Sequence, residues 1–324
     1  MRLRLSLACG DYEITRALTA GDVEAEGLDL VCMTDDTERI YRTERRAECD
    51  VAEYNLFAFL REWDAGEDIA AIPVFPHRRF RLGSIFVPAG SPVTEPAGLA
   101  GARIGIGGYR PAAAVWLRGI LEDHYGVDAG SLRWYDVFGL AGEVPGDLPG
   151  PLPAEDPMSR FAIDAYLESG QLDAMLSAYI PAGVAGGRVR RLFERPDVEE
   201  RAYYRQTGVF PIMHVVTVKR SVLDRWPWVA PNLFRAFGRA KQDALHRLRN
   251  PRTLPLAFAQ SAWRDQEELL GPDPWQYGLT PGNTRTLELA VRYAVAQGYL
   301  REEVAPEDLF VPVDRETPPG FEIR

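Results

Sequence analysis

Lysine is almost missing from this 324-residue chain. Lys219 and Lys241 are the only two, so nearly all of its 37 basic residues are arginine. Acidic residues number 47 and the formal net charge is -10, which excludes a broad nucleic-acid-binding surface. Cysteine is sparse: Cys9, Cys32 and Cys49 give neither a disulfide framework nor a zinc-finger spacing. Histidine is sparse too, and His77, His124, His214 and His246 form no H-x-x-H or H-E-x-x-H motif, so no metal site is expected. No apolar run approaches the roughly 20 residues that would span a bilayer. The opening "MRLRLSLACGDYEITR" is too short in apolar residues for an export signal. A cytoplasmic protein without membrane or nucleic-acid partners is the expectation, and a homo-oligomer is compatible with it.

What remains is a chain that is 46% hydrophobic, long enough for two domains. Strand-like and helix-like stretches alternate through its first two thirds. Leu3–Cys9, Leu28–Met33, Asp50–Asn55 and Ile69–Phe75 form one strand group. Arg103–Gly107, Leu132–Val137, Leu172–Ala178 and Val189–Phe193 form a second. Such alternation predicts parallel sheets flanked by helices. Helices dominate the last third, where Leu233, Phe234, Phe237, Ala240, Ala244, Leu245 and Leu248 make one apolar stripe. Two extended segments, Gly83–Ala89 and Met213–Lys219, bracket the second group and read as crossover strands. The expected architecture is two Rossmann-like α/β lobes with a helical C-terminal part. Residues 1–88 and 216–324 form lobe 1, and 89–215 form lobe 2. The Gly- and Pro-rich stretch Gly139–Pro157 and the tail from Asp314 read as loops.

The segment "GIGGYRPAAAVW" from Gly105 to Trp116 resembles a phosphate loop but lacks both nucleotide signatures. Its useful property is simpler. Gly107 and Gly108 let the backbone approach a ligand, and Pro111 suits a first helical turn. The free N–H groups from Ala112 onward can then hold a small anion, with Arg110 adding a forked contact. A plain strand–turn–helix connection is the competing reading.

In open α/β sheets, ligands sit beyond the carboxyl ends of the strands. That rule selects Cys9 to Tyr12, Met33 to Asp35, Asn55, Pro76 to Arg79, Gly107 to Arg110 and Ser177 to Tyr179. The substrate-contact candidates are Tyr12, Asn55, Arg78, Arg79, Gly107, Gly108, Tyr109, Arg110, Ser177 and Tyr179, with Arg81 and Ala112 from the adjoining motifs, and Asp11, His77 and His214 are the catalytic candidates. Asp11 reads as a helix cap or a cleft carboxylate, and Tyr12 as a cleft wall or a core aromatic. Tyr109 and Tyr179 can stack on a flat ligand. "PHRRFR", with His77, Arg78, Arg79 and Arg81, suits a cationic rim or a solvated loop. His214 begins the return crossover. His77 and His214 are the best candidate general acids, whereas His124 and His246 lie in helical runs. Cys9 reads as a buried small residue rather than a nucleophile.

Several stretches occur in an order that carries a resemblance: "LACGDYEITRAL", "AIPVFPHRRFR", "AAAVWLRGIL", "YYRQTGVFPIMHVV" and "YGL". Together, from about Leu5 to Phe310, the chain resembles the 4,5-dihydroxyphthalate decarboxylase family, similar in fold to type II periplasmic binding proteins. The chain departs from the family pattern at Gly107–Ala112, Ser177–Tyr179 and Tyr54–Phe57. The resemblance implies two lobes joined by two crossovers. It also implies cofactor-independent decarboxylation of a hydroxylated aromatic (di)carboxylate in the cleft. His214 or His77 would supply a proton, Asp11 would polarise a hydroxyl, and the arginines and loop N–H groups would bind carboxylates. The alternatives are a solute-binding protein for a small carboxylate, or another enzyme on the same scaffold with a different acid substrate.

Overall fold

The computed structural model describes residues 2–35, 48–106, 112–136, 160–177 and 179–313. The expected anion loop Gly107–Arg110, the Gly139–Pro157 stretch and the tail from Asp314 lie outside them. Among the described residues, ten strands form two five-stranded sheets. They are β1 Leu3–Gly10, β2 Leu28–Asp35, β3 Val51–Asn55, β4 Ala70–Ile72, β5 Ile85–Pro88, β6 Arg103–Ile106, β7 Arg133–Asp136, β8 Ala174–Leu176, β9 Val189–Arg191 and β10 His214–Val218. No helix among these residues is long and apolar enough to cross a membrane.

The chain divides into two compact units. One comprises Met1–Arg78, Ile212–Val291 and Leu300–Arg324; the other comprises Arg79–Pro211 and Arg292–Tyr299. The segment Ile85–Pro88, placed in lobe 1 by the sequence reading, pairs instead with β8 and β9 of the second sheet. The late segment Arg292–Tyr299 also joins the second unit, where Tyr293 packs edge-on to Trp116. Gly119 makes that packing feasible, because a Cβ there would lie 2.4 Å from the Tyr293 ring.

The first sheet has the order β2-β1-β3-β10-β4 and the second β7-β6-β8-β5-β9. Neither is purely parallel, which corrects the parallel-sheet expectation. β10 runs antiparallel to β3 and β4, and β5 runs antiparallel to β8 and β9. The reason is the route of the chain. A strand that joins a sheet at the end where its neighbours finish must run against them, and hydrophobic periodicity carries no information about direction.

The core of the first unit follows from period-2 patterning on β1. Leu5, Leu7 and Cys9 point to one face and pack with Val51, Ile72, Val216 and Val218. The long helix Val229–Leu248 covers that face with Val229, Leu233, Ala236, Phe237 and Ala240, all essentially inaccessible. Each such large side chain contributes about 1.5–3 kcal/mol on burial. In the second unit, Phe86, Tyr166, Leu167, Leu172, Met175 and Val189 form a smaller apolar cluster.

Candidate active site

One polar cluster interrupts the apolar interior of the first unit. Strand β3 places Val51, Glu53 and Asn55 on the same face, since side chains alternate along a strand. Val51 enters the core, and Glu53 follows it inward with only 2% of its surface exposed. β10 enters antiparallel, so its first residue, His214, lies opposite Asn55, and Val216 lies opposite Glu53. The His214 Nδ1 atom is hydrogen-bonded to Glu53 Oε1, and both side chains are buried.

Three further groups converge on the same carboxylate. The Tyr12 hydroxyl donates to Oε1 at 2.6 Å and the Gly10 N–H donates to Oε2 at 2.7 Å. The Cys9 thiol lies 3.7 Å from Oε2. Gly10 is a spatial requirement here: a Cβ would sit 2.7 Å from the Tyr12 ring and 3.0 Å from Glu53 Oε2. His77 completes the cluster. Its ring stands edge-on to His214 at 4.9 Å between centroids and tilted to Tyr12 at 5.8 Å. The His77 carbonyl accepts the N–H groups of Met213 and His214, which fixes the two histidine backbones side by side.

Burial alone would raise the Glu53 carboxyl. The charge and hydrogen bond of His214, with the donors on Tyr12 and Gly10, outweigh it and hold the carboxyl below its usual range. Glu53 is therefore ionised, and a carboxylate bonded to Nδ1 in this way can fix the orientation of the imidazole ring. Burial and the Glu53 charge push the Cys9 thiol well up, so it is not poised as a nucleophile.

The structure thus brings together His214, His77 and Tyr12 from the sequence-selected residues, around a residue not selected. Glu53 had a signal: an acid flanked by Ala52 and Tyr54, on the alternation that also carries apolar Val51. Other expectations change. Asp11 is exposed and paired with Arg16 at 3.3 Å, and the helix Glu13–Thr19 has Tyr12 as its cap residue without a side-chain cap bond. Asp11 is therefore neither the cap nor a member of the histidine cluster; Glu53 is the carboxylate there. Asn55 spends its Oδ1 on the N–H groups of Phe57 and Ala58, capping the helix Leu56–Asp64. Arg78 is buried rather than presented as a rim, bonded to Asn283 and lying over Phe75.

Arg79, Arg81, Ala112, Ser177 and Tyr179 belong to the second unit. Arg79 is exposed, Arg81 is buried and Ala112 opens a buried helix face. The Ser177 hydroxyl accepts the Tyr179 N–H at 3.1 Å. Gly107, Gly108, Tyr109 and Arg110 lie outside the described residues. Among the described residues no group of three or more His, Cys, Asp or Glu side chains is arranged to hold a metal ion.

No family model matches the chain. Two curated relatives do, both named 4,5-dihydroxyphthalate decarboxylase. The Comamonas testosteroni protein is 32% identical over 330 residues, covering 98% of each chain. The Pseudomonas putida protein is 32% identical over 212 residues, covering 63% of this chain and 82% of its own. Among solved structures, the periplasmic aliphatic sulphonate binding protein SsuA from Escherichia coli aligns with a TM-score of 0.58 at 13% identity, covering 100% of this chain and 97% of its own. That likeness is one of fold, the type II periplasmic-binding-protein-like architecture.

Proposed function

The chain belongs to the 4,5-dihydroxyphthalate decarboxylase family, and from that premise we propose that it is a cofactor-independent carboxy-lyase acting on a hydroxylated aromatic dicarboxylate. The observation that carries the reading is the buried Glu53–His214 pair with His77 and Tyr12 against it. Losing CO2 from a benzene ring leaves an electron pair on carbon, which is prohibitive unless that carbon is protonated first. In 4,5-dihydroxyphthalate each carboxyl-bearing carbon is para to a hydroxyl. Loss of the hydroxyl proton drives electron density to that carbon, which takes a proton from an imidazolium. The dienone-like species then breaks its ring–carboxylate bond, CO2 leaves and the ring regains aromaticity. The product is 3,4-dihydroxybenzoate from either carboxylate, and one proton is consumed for each CO2 released.

His214 is the proposed proton donor. Glu53 orients its ring, since the Nδ1 atom is held on the buried carboxylate. His77, ring against ring with His214, is the second candidate and the relay to outside. The test is incubation with 4,5-dihydroxyphthalate, following 3,4-dihydroxybenzoate by chromatography and CO2 by mass spectrometry. Tight binding with no product would favour a binding-only role instead. That alternative draws on the fold shared with SsuA, but it requires no buried proton-transfer pair.

A further inference from the structure

The two most exposed large apolar side chains among the described residues are near neighbours in the first unit. Phe258 is 81% exposed and Leu256 is 64% exposed, on the approach to the helix Ala259–Leu270. Phe258 is the cap residue of that helix, and its carbonyl accepts the Ala262 N–H at 3.0 Å. Its backbone is therefore fixed while its ring stands in water.

The helix itself lacks a buried face. It has 12 residues and none of them is fully buried. A helix this short is marginal in water, and packing of one apolar face normally supplies its stability. Here Trp263 is only half-buried, with the Arg249 guanidinium 5.7 Å from its ring centre. Between this helix and the end of Val229–Leu248 runs a groove of about 240 Å³, whose apolar lining is Leu248, Pro251, Ala259 and Trp263. A cavity of about 150 Å³ is enough for benzene, so the groove can take a phenyl ring. Ala259 of the lining directly follows Phe258, so the protruding ring and the groove share one patch.

Charge narrows the choice of occupant. The chain carries a formal net charge of -10, so two copies repel over most of their surface. Around the groove the signs balance: Arg249, Arg252 and Arg264 stand with Asp265, Glu267 and Glu268, and Arg249 bonds Glu267 at 3.1 Å. A patch of mixed sign selects neither an acidic nor a basic partner, and it is where a second copy meets least repulsion. Symmetry points the same way. A knob and a groove on one surface satisfy each other across a two-fold axis, and association then closes at two chains. On distant surfaces they would build an open chain instead.

We propose that this patch is a dimer interface, each chain seating its Phe258 ring in the groove of a second copy. The proposal goes beyond the decarboxylase reading and is independent of it. The helix is about 18 Å long, which puts the contact toward the low end of the roughly 1,200–2,000 Å² of specific interfaces and predicts a reversible dimer.

The experiment is sedimentation velocity on the full-length protein from about 1 to 100 μM, with Phe258→Asp, Phe258→Leu and Val198→Asp beside wild type. Wild type should pass from monomer to dimer as concentration rises. Phe258→Asp should weaken association at least about tenfold with an unchanged far-UV circular dichroism spectrum, because the ring lies outside the core. Phe258→Leu keeps an apolar knob and should stay within about threefold of wild type. Val198→Asp adds the same charge at an exposed apolar site of the second unit and should associate as wild type does. A wild type that is monomeric throughout would overturn the proposal. So would an assembly that Phe258→Asp leaves intact, or one that Val198→Asp weakens equally. The measurement needs no substrate, so its outcome is separate from that of the turnover assay.

Discussion

The two sheets share one plan and differ in what is set at its centre. Matching the orders β2-β1-β3-β10-β4 and β7-β6-β8-β5-β9 place by place pairs β3 with β8 and β10 with β5. In both, the fourth strand runs against the rest. At the middle place the first sheet carries Glu53 in β3, whereas the second carries Ala174, Met175 and Leu176, all apolar and buried. At the antiparallel place the first begins with His214 and the second with Ile85. The backbone plan supplies a carboxyl-edge position beside a returning strand in both units. Only one unit fills it with a buried carboxylate–imidazole pair, and there Tyr12 and Gly10 supply further donors to the carboxylate.

Replacing both clustered histidines, His214→Gln with His77→Gln, should make the largest difference. Turnover of 4,5-dihydroxyphthalate should fall by at least about 10²–10⁴-fold, as measured by product formation. Intact turnover in that double variant would remove both residues as proton donors. Glu53→Gln comes next. It should reduce the rate by about a hundredfold and lower unfolding free energy in urea by about 3 kcal/mol, because His214 keeps its burial and loses its ionised partner.

The converse change, Met175→Glu, places a charge at the middle of the second sheet with none of the donors that surround Glu53. It should cost about 3–5 kcal/mol, read from the same urea titration, and tolerance of it would show that β8 is less sealed than its burial implies. The pH profile sharpens the same contrast. Glu53 has its folded-state carboxyl depressed, so the stabilisation is fully present above the ordinary glutamate range of about 4.3 and is lost as pH falls through the lower folded value. Acid unfolding of wild type should therefore be steeper below about pH 4 than that of Glu53→Gln. Asp11→Asn should do least. Its exposed pair with Arg16 is worth under about 0.5 kcal/mol, and the rate should change less than about twofold; a large rate loss would return Asp11 to the chemistry.

Much of this plan was legible in the amino-acid order. Leu3, Leu5, Leu7 and Cys9 alternate because one face of β1 is buried, and Leu233, Phe237, Ala240 and Ala244 recur at helical spacing because one face of their helix is. Strand direction was not legible, since β5 and β10 have the same local pattern whichever way they run. His77 and His214 were selected because they follow or begin strands, and the structure places both rings in one cluster with Tyr12. Glu53 escaped because it lies within a strand rather than after it. Asn55 shows a role that the strand-end rule does not read: a residue at a strand's end and a helix's start serves the backbone as readily as a ligand, and here its oxygen is committed to Phe57 and Ala58.

The bare Cα of Gly10 has a consequence for redesign. Alanine at that position would leave the hydrogen-bonded ladder of β1 intact while pushing the Tyr12 ring off the carboxylate. A folded protein with a weakened acid centre is then one methyl group away, so spectroscopic evidence of correct folding would say nothing about competence. Any library that diversifies this strand should leave residue 10 untouched.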